Sequence, residues 1–97
     1  MSSIIKGSHA RAMVEEQNAQ LVDVRNPQEF SNGAVPGAIN IPVNMIPNLA
    51  SQHLDNSKPV IVYCVSGGRS AQAQMILNSM GFNDVHNVGN AQNYLNN

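Results

Sequence analysis

Seven consecutive residues, Cys64-Val65-Ser66-Gly67-Gly68-Arg69-Ser70, bring together the only thiol of the chain, two glycines and a guanidinium. Adjacent glycines let the backbone curl tightly and turn its N–H groups inward. A helix is expected to start directly after them, which aims the positive end of its dipole at the same point. Arg69 adds a permanently charged, planar fork of donors. The segment therefore reads as a cradle for an anion, centred on sulfur. The same field favours thiolate over thiol, and the thiolate is the nucleophile. An isolated cysteine is more often a small buried hydrophobe, but the loop around Cys64 favours the reactive reading. Ser70 reads as a hydrogen-bonding residue at the helix start rather than as a second nucleophile.

The elements that must position this loop follow from pattern. Val60-Ile61-Val62-Tyr63 is short, apolar and β-prone, as expected of a central parallel strand covered on both faces. The spacing predicts a helix from about Arg69 to Met80, with Ala73, Ile76, Leu77 and Met80 on one apolar face. Gly81 suits its C-terminal turn, and Phe82 a hydrophobic closure. Further strands are expected at Leu21–Val24, Ala38–Ile41 and Asp84–Val88, with a short edge strand at Ile4-Ile5. Ser8 is a candidate cap for a helix running to about Gln17. Asn26-Pro27-Gln28-Glu29 reads as a capping box with proline at the first helical position. Val43 to Ala50 is weakly helical and interrupted by Pro47, and Ala91 to Leu95 is a last short helix. Strands alternating with helices predict an α/β fold, a parallel sheet with helices on both faces. In such sheets ligands bind beyond the carboxyl ends of the strands, which is where Cys64 falls.

Composition narrows the classes. At 97 residues the chain fits one small domain, taken as 1–97. Its five cations are scattered and the net charge is −1, so nucleic acid and membrane surfaces are not expected partners. The N-terminal Met1-Ser2-Ser3-Ile4-Ile5-Lys6 does not read as a signal peptide, and the expected compartment is cytoplasmic. One cysteine excludes an intrachain disulfide and a cysteine-cluster metal site; neither metal nor cofactor is expected.

Beyond these features, four motifs in order resemble the rhodanese-like family. Leu21-Val22-Asp23-Val24-Arg25 with Asn26-Pro27-Gln28-Glu29-Phe30 is similar to its Asp-x-Arg signature and the following Glu-Phe or Glu-Tyr helix. Gly33-Ala34-Val35-Pro36-Gly37-Ala38-Ile39-Asn40-Ile41-Pro42 resembles Gly-His-Ile-Pro-Gly-Ala-x-Asn-Ile-Pro. Cys64 to Ser70 is similar to the active-site loop, and Val88-Gly89-Asn90 to Tyr94 to Gly-Gly-x-x-x-Trp. The resemblance implies a three-layer α/β/α sandwich with a mainly parallel sheet of about five strands. It also implies a thiosulfate sulfurtransferase that carries sulfur as a persulfide on Cys64 and passes it to cyanide or a thiol, with a protein acceptor as a further option. Backbone N–H groups from Val65 through Ser70, with Ser66, Gly67, Gly68 and Arg69 between them, would hold the persulfide and the donor's oxygens. Arg25 is a candidate to approach the donor, with Asp23 supporting it. Equally, Arg25 could pair with Glu29 while Asp23 caps a loop. His9, His53 and His86 adjoin none of the motifs.

The chain departs from the family pattern at Ala34, Asn90 and Tyr94, read as packing variations. Val65 stands where many members carry a cation or polar residue, which leaves room for a bulkier or less charged donor or a protein persulfide. Three other readings are open: a sulfur-relay carrier, a non-catalytic rhodanese-like binding module, and a cysteine-dependent phosphatase or arsenate reductase. The last needs one residue more between cysteine and arginine to surround a tetrahedral oxyanion. Here only Val65, Ser66, Gly67 and Gly68 intervene.

Overall fold

The computed structural model describes residues 3–97; Met1 and Ser2, the first residues of the N-terminal reading, lie outside the described residues. Strands β1 (Gln20–Asp23), β2 (Ile39–Asn40), β3 (Val60–Cys64) and β4 (Val85–Asn90) form one sheet in the order β2-β1-β3-β4, every pair parallel. Helices α1 (Gly7–Gln17) and α5 (Ala91–Asn96) cover one face, and α3 (Ile46–His53) and α4 (Gly68–Ser79) the other. The short α2 (Pro27–Ser31) follows β1 and buries none of its residues. This is the expected three-layer α/β/α sandwich. The edge expected at Ile4-Ile5 reduces to a bridge, Ile4 paired parallel to Asn87 with the Ile5 N–H on the Asn87 carbonyl at 2.9 Å. Four strands and that bridge stand for the expected five.

Each face of the sheet has its own core. Val22, Val24, Val60, Val62 and Cys64 pack with Ile46, Ala73 and Leu77 on the α3/α4 side. Leu21, Ile61, Tyr63 and Val88 pack with Ala10, Met13 and Tyr94 on the α1/α5 side. All five β3 residues are buried. Each large apolar side chain so buried contributes roughly 2 kcal/mol over its exposed state, so β3 cannot slip its register without losing both cores at once. That fixes where Cys64 emerges.

Local signals explain most element ends. Asn26 Oδ1 accepts from the Glu29 N–H at 2.8 Å, and Glu29 Oε1 from the Asn26 N–H at 3.0 Å, closing the expected box. Gly81, at φ 99°, donates to the Asn78 carbonyl at 3.3 Å while the Phe82 N–H reaches Leu77 O at 3.1 Å. This is a Schellman closure, with Phe82 buried beneath it. Two expectations are corrected. Helix α1 begins at Gly7, capped by the Lys6 backbone rather than by Ser8. There α1 runs so close to α5 that a Cβ on Gly7 would lie 1.8 Å from the Asn93 carbonyl oxygen. Pro47 does not interrupt a helix. It sits in the first turn of α3 after a 3-10 turn at Val43–Met45, where its missing N–H costs nothing.

Candidate active site

The chain leaves β3 at Cys64, turns through Val65 and Ser66, and enters α4 at Gly68. Gly67 makes the turn at φ 97°, a left-handed conformation that side chains rarely adopt. The turn brings N–H groups onto the sulfur. Cys64 Sγ accepts from the Gly67 N–H at 3.1 Å and the Ser70 N–H at 3.4 Å, and lies 3.4 Å from the Ser70 hydroxyl. Cys64 is buried, while Val65 beside it is 56% exposed. Burial pushes the thiol up; the Ser70 hydroxyl, where its proton turns to sulfur, and the N–H groups of Ser70, Gly67 and Ser66 pull it down, and the balance lies below the ordinary thiol value.

Arg69 does not aim its fork at the sulfur. Its Nη1 and Nη2 donate to Glu29 Oε1 and Oε2 at 2.7 and 3.1 Å. One carboxylate thus closes the α2 capping box and braces the loop. Arg69 first, and the Asn26 N–H second, push Glu29 down to about 2. Its charge is then present above that value and lost only as pH falls through it. Arg25 does not pair with Glu29. Its Nε donates to both oxygens of Asp23 at 3.0 Å, and its Nη2 to Asp23 Oδ2 at 2.7 Å and to the Gly33 carbonyl at 2.7 Å. Asp23 is fully buried. It also accepts from the Tyr63 hydroxyl at 2.9 Å, and that oxygen accepts from the Val35 N–H at 3.0 Å. Asp23 and Arg25 therefore tie the end of β1 to β3 and to the loop before β2.

Asn87, on β4, belongs to the site although no sequence motif marks it. It is fully buried. Its Nδ2 donates to the Gly67 carbonyl at 3.1 Å, and its Oδ1 accepts from the Gly89 N–H at 2.9 Å and the Ser70 hydroxyl at 2.7 Å. The available signal was an amide inside an expected strand of a sheet covered on both faces, since a buried polar side chain requires partners. His86, its neighbour, pairs with Asp84. Among the described residues, no group of three or more His, Cys, Asp or Glu could hold a metal ion, and no helix is long and apolar enough to cross a membrane.

A parallel sheet, a cysteine at the carboxyl end of its central strand and a ring of N–H groups on the sulfur define the class of site. The chain belongs to the rhodanese-like domain family, whose model matches residues 8–91. It is 32% identical over 88 residues to a sulfurtransferase of Allochromatium vinosum, covering 91% of this chain and 81% of the relative. It is 41% identical over 69 residues to the thiosulfate sulfurtransferase PspE of Escherichia coli, covering 70% of this chain and 66% of PspE. Among solved structures, a rhodanese with anions from E. coli superposes with a TM-score of 0.70 at 37% identity, over 77% of this chain and 89% of that one.

Proposed function

We propose that residues 1–97 act as one catalytic domain, a sulfurtransferase that moves sulfane sulfur from thiosulfate or a similar donor through a Cys64 persulfide. The observation that carries this reading is the thiol held by the N–H groups of Gly67 and Ser70 at 3.1 and 3.4 Å, at the carboxyl end of β3. The Cys64 thiolate attacks the outer sulfur of thiosulfate, the S–S bond breaks, and its electron pair leaves with sulfite. A thiol or cyanide then attacks the outer persulfide sulfur, and the electron pair of that S–S bond returns to Cys64. This is ping-pong covalent catalysis with no general base, consistent with a site built without histidine. The named activities of the two sulfurtransferase relatives support it. A lone reactive thiol suits a reducing compartment such as the cytoplasm.

Incubation with thiosulfate is expected to add the mass of one sulfur atom to the intact chain. Cyanide should remove it and release thiocyanate. At the same protein concentration no hydrolysis of an aryl phosphate is expected. Absence of the adduct, or phosphatase turnover in its place, would overturn the reading.

The Arg69–Glu29 pair bears on the donor. A carboxylate beside the loop repels a dianion and competes with it for the arginine fork, while exposed Val65 offers apolar contact. Glu29→Gln keeps an acceptor for the Asn26 N–H but removes the charge. Its thiosulfate KM is expected to fall by about threefold or more, the scale of one partly screened charge, with Tm changed by only a few degrees because the pair is part-exposed. An unchanged KM would assign Glu29 to the brace alone.

A further inference from the structure

Asn87 has every polar atom of its amide engaged, and the partners dictate its orientation. Gly89 N–H can only donate and Gly67 carbonyl can only accept, so the oxygen must face Gly89 and the nitrogen Gly67. Ser70 faces the same oxygen at 2.7 Å. A hydroxyl has one proton. With that proton on Asn87, the Ser70 oxygen presents a lone pair to Cys64 Sγ at 3.4 Å. A lone pair accepts from a thiol S–H but opposes a bare thiolate. The hydroxyl lowers the thiol only when its proton turns to sulfur, and Asn87 competes for that proton.

We propose that Asn87 is a positioning residue for Cys64: by holding the Ser70 proton on its own amide oxygen, it withholds one hydrogen bond from the thiolate. Resting on the persulfide reading above, this favours the loaded state. In the persulfide the negative charge has moved to the outer sulfur, so the lone pair facing Sγ no longer opposes a charge. Nucleophilicity falls as thiol pKa falls, so a thiolate that is not fully stabilised also remains the better attacker.

The charged groups around Cys64 leave the assignment to Asn87 clean. Arg69, the only charged residue of α4, acts on the sulfur through space and is paired with Glu29. Arg25, at the end of β1, is paired with Asp23, and Tyr63 donates to that same carboxylate. On β4, His86 is paired with Asp84 and faces His9 of α1 across the other side of the sheet. His53, the last residue of α3, lies beside Ala19 and Gln20 at the start of β1, the end of the sheet opposite to Cys64. None of these is altered by the variants below.

The test is the Cys64 titration, read by thiolate ultraviolet absorbance and by alkylation rate, which one cysteine makes unambiguous. Asn87→Ala frees the Ser70 proton, so the midpoint is expected to fall by about one pH unit, the scale of one hydrogen bond to a charged group. Ser70→Ala alone is expected to move the midpoint by less than about half of that, because the proton it removes was not on sulfur. In the Asn87→Ala background the same substitution should raise the midpoint by the full amount. A structural brace behaves oppositely: loosening the loop moves the midpoint up, toward the ordinary thiol. A rise or no change in Asn87→Ala would overturn the proposal. Should that variant fail to fold, Ser70→Ala decides, and a rise of about a full unit there would overturn it. The titration uses no sulfur donor, so its failure is separate from any failure of Cys64 to carry sulfur.

Discussion

Cys64→Ser is expected to reduce thiosulfate:cyanide turnover to background, a fall of at least about a thousandfold, and to abolish the one-sulfur mass adduct. The fold should survive. Serine is close in size to cysteine, and the Gly67 and Ser70 N–H groups that meet Sγ can donate to a hydroxyl oxygen equally well. A circular-dichroism melt near that of the wild type would therefore accompany the loss. The hydroxyl cannot substitute chemically, because its pKa lies far above neutrality and no base adjoins it. Residual turnover above background would place the sulfur-carrying atom elsewhere. No second thiol exists in the chain to take the role, so such a result would remove the covalent mechanism altogether.

The largest expected loss of stability comes from Asp23→Ala. Asp23 is fully buried and answers the Arg25 guanidinium, the Arg25 N–H and the Tyr63 hydroxyl. Truncation leaves a mostly buried cation over the Tyr63 ring with its carboxylate gone. Removing one member of a buried pair costs about 3–5 kcal/mol, or on the order of 15 °C in Tm for a domain of this size. Asp23→Asn should lose roughly half as much, since an amide oxygen still accepts from Tyr63 or Arg25. A melt within a few degrees of wild type for Asp23→Ala would mean that Arg25 escapes to solvent and that the cluster does not hold the loop before β2.

What the sequence reveals divides along a physical line. Cys64 to Ser70 is a contiguous device, and its turn, helix start and N–H ring follow from two glycines placed after a buried strand. The Asn26–Glu29 box and the Gly81–Phe82 closure are equally local, each decided within a few residues. Pro47 is ambiguous in sequence because proline breaks a helix interior but suits a first turn, and the choice depends on where the helix begins. The sequence offers Arg25 either the donor or Glu29, and the structure gives it Asp23 instead. In extended chain, residues two apart share a face, and that favours Asp23. Arg69 and Asn87 were not legible in this way. Glu29 lies 40 residues before Arg69, and Asn87 lies 17 after Ser70. Their pairing is decided by the sheet order, which local pattern does not specify.

The same separation has a kinetic consequence. Gly67 and Ser70 receive their Asn87 partner only when β4 has docked beside β3, and parallel neighbours cannot pair until the intervening chain has looped around. As the polypeptide is made in order, Cys64 is joined to the chain before the residues of β4 exist. Until those residues arrive the loop has its own N–H donors but lacks the Asn87 contacts to Gly67 and Ser70. The site is thus completed by the addition of β4, and a chain stalled or truncated before Val85 carries the loop without the residue that holds the Gly67 carbonyl and the Ser70 hydroxyl.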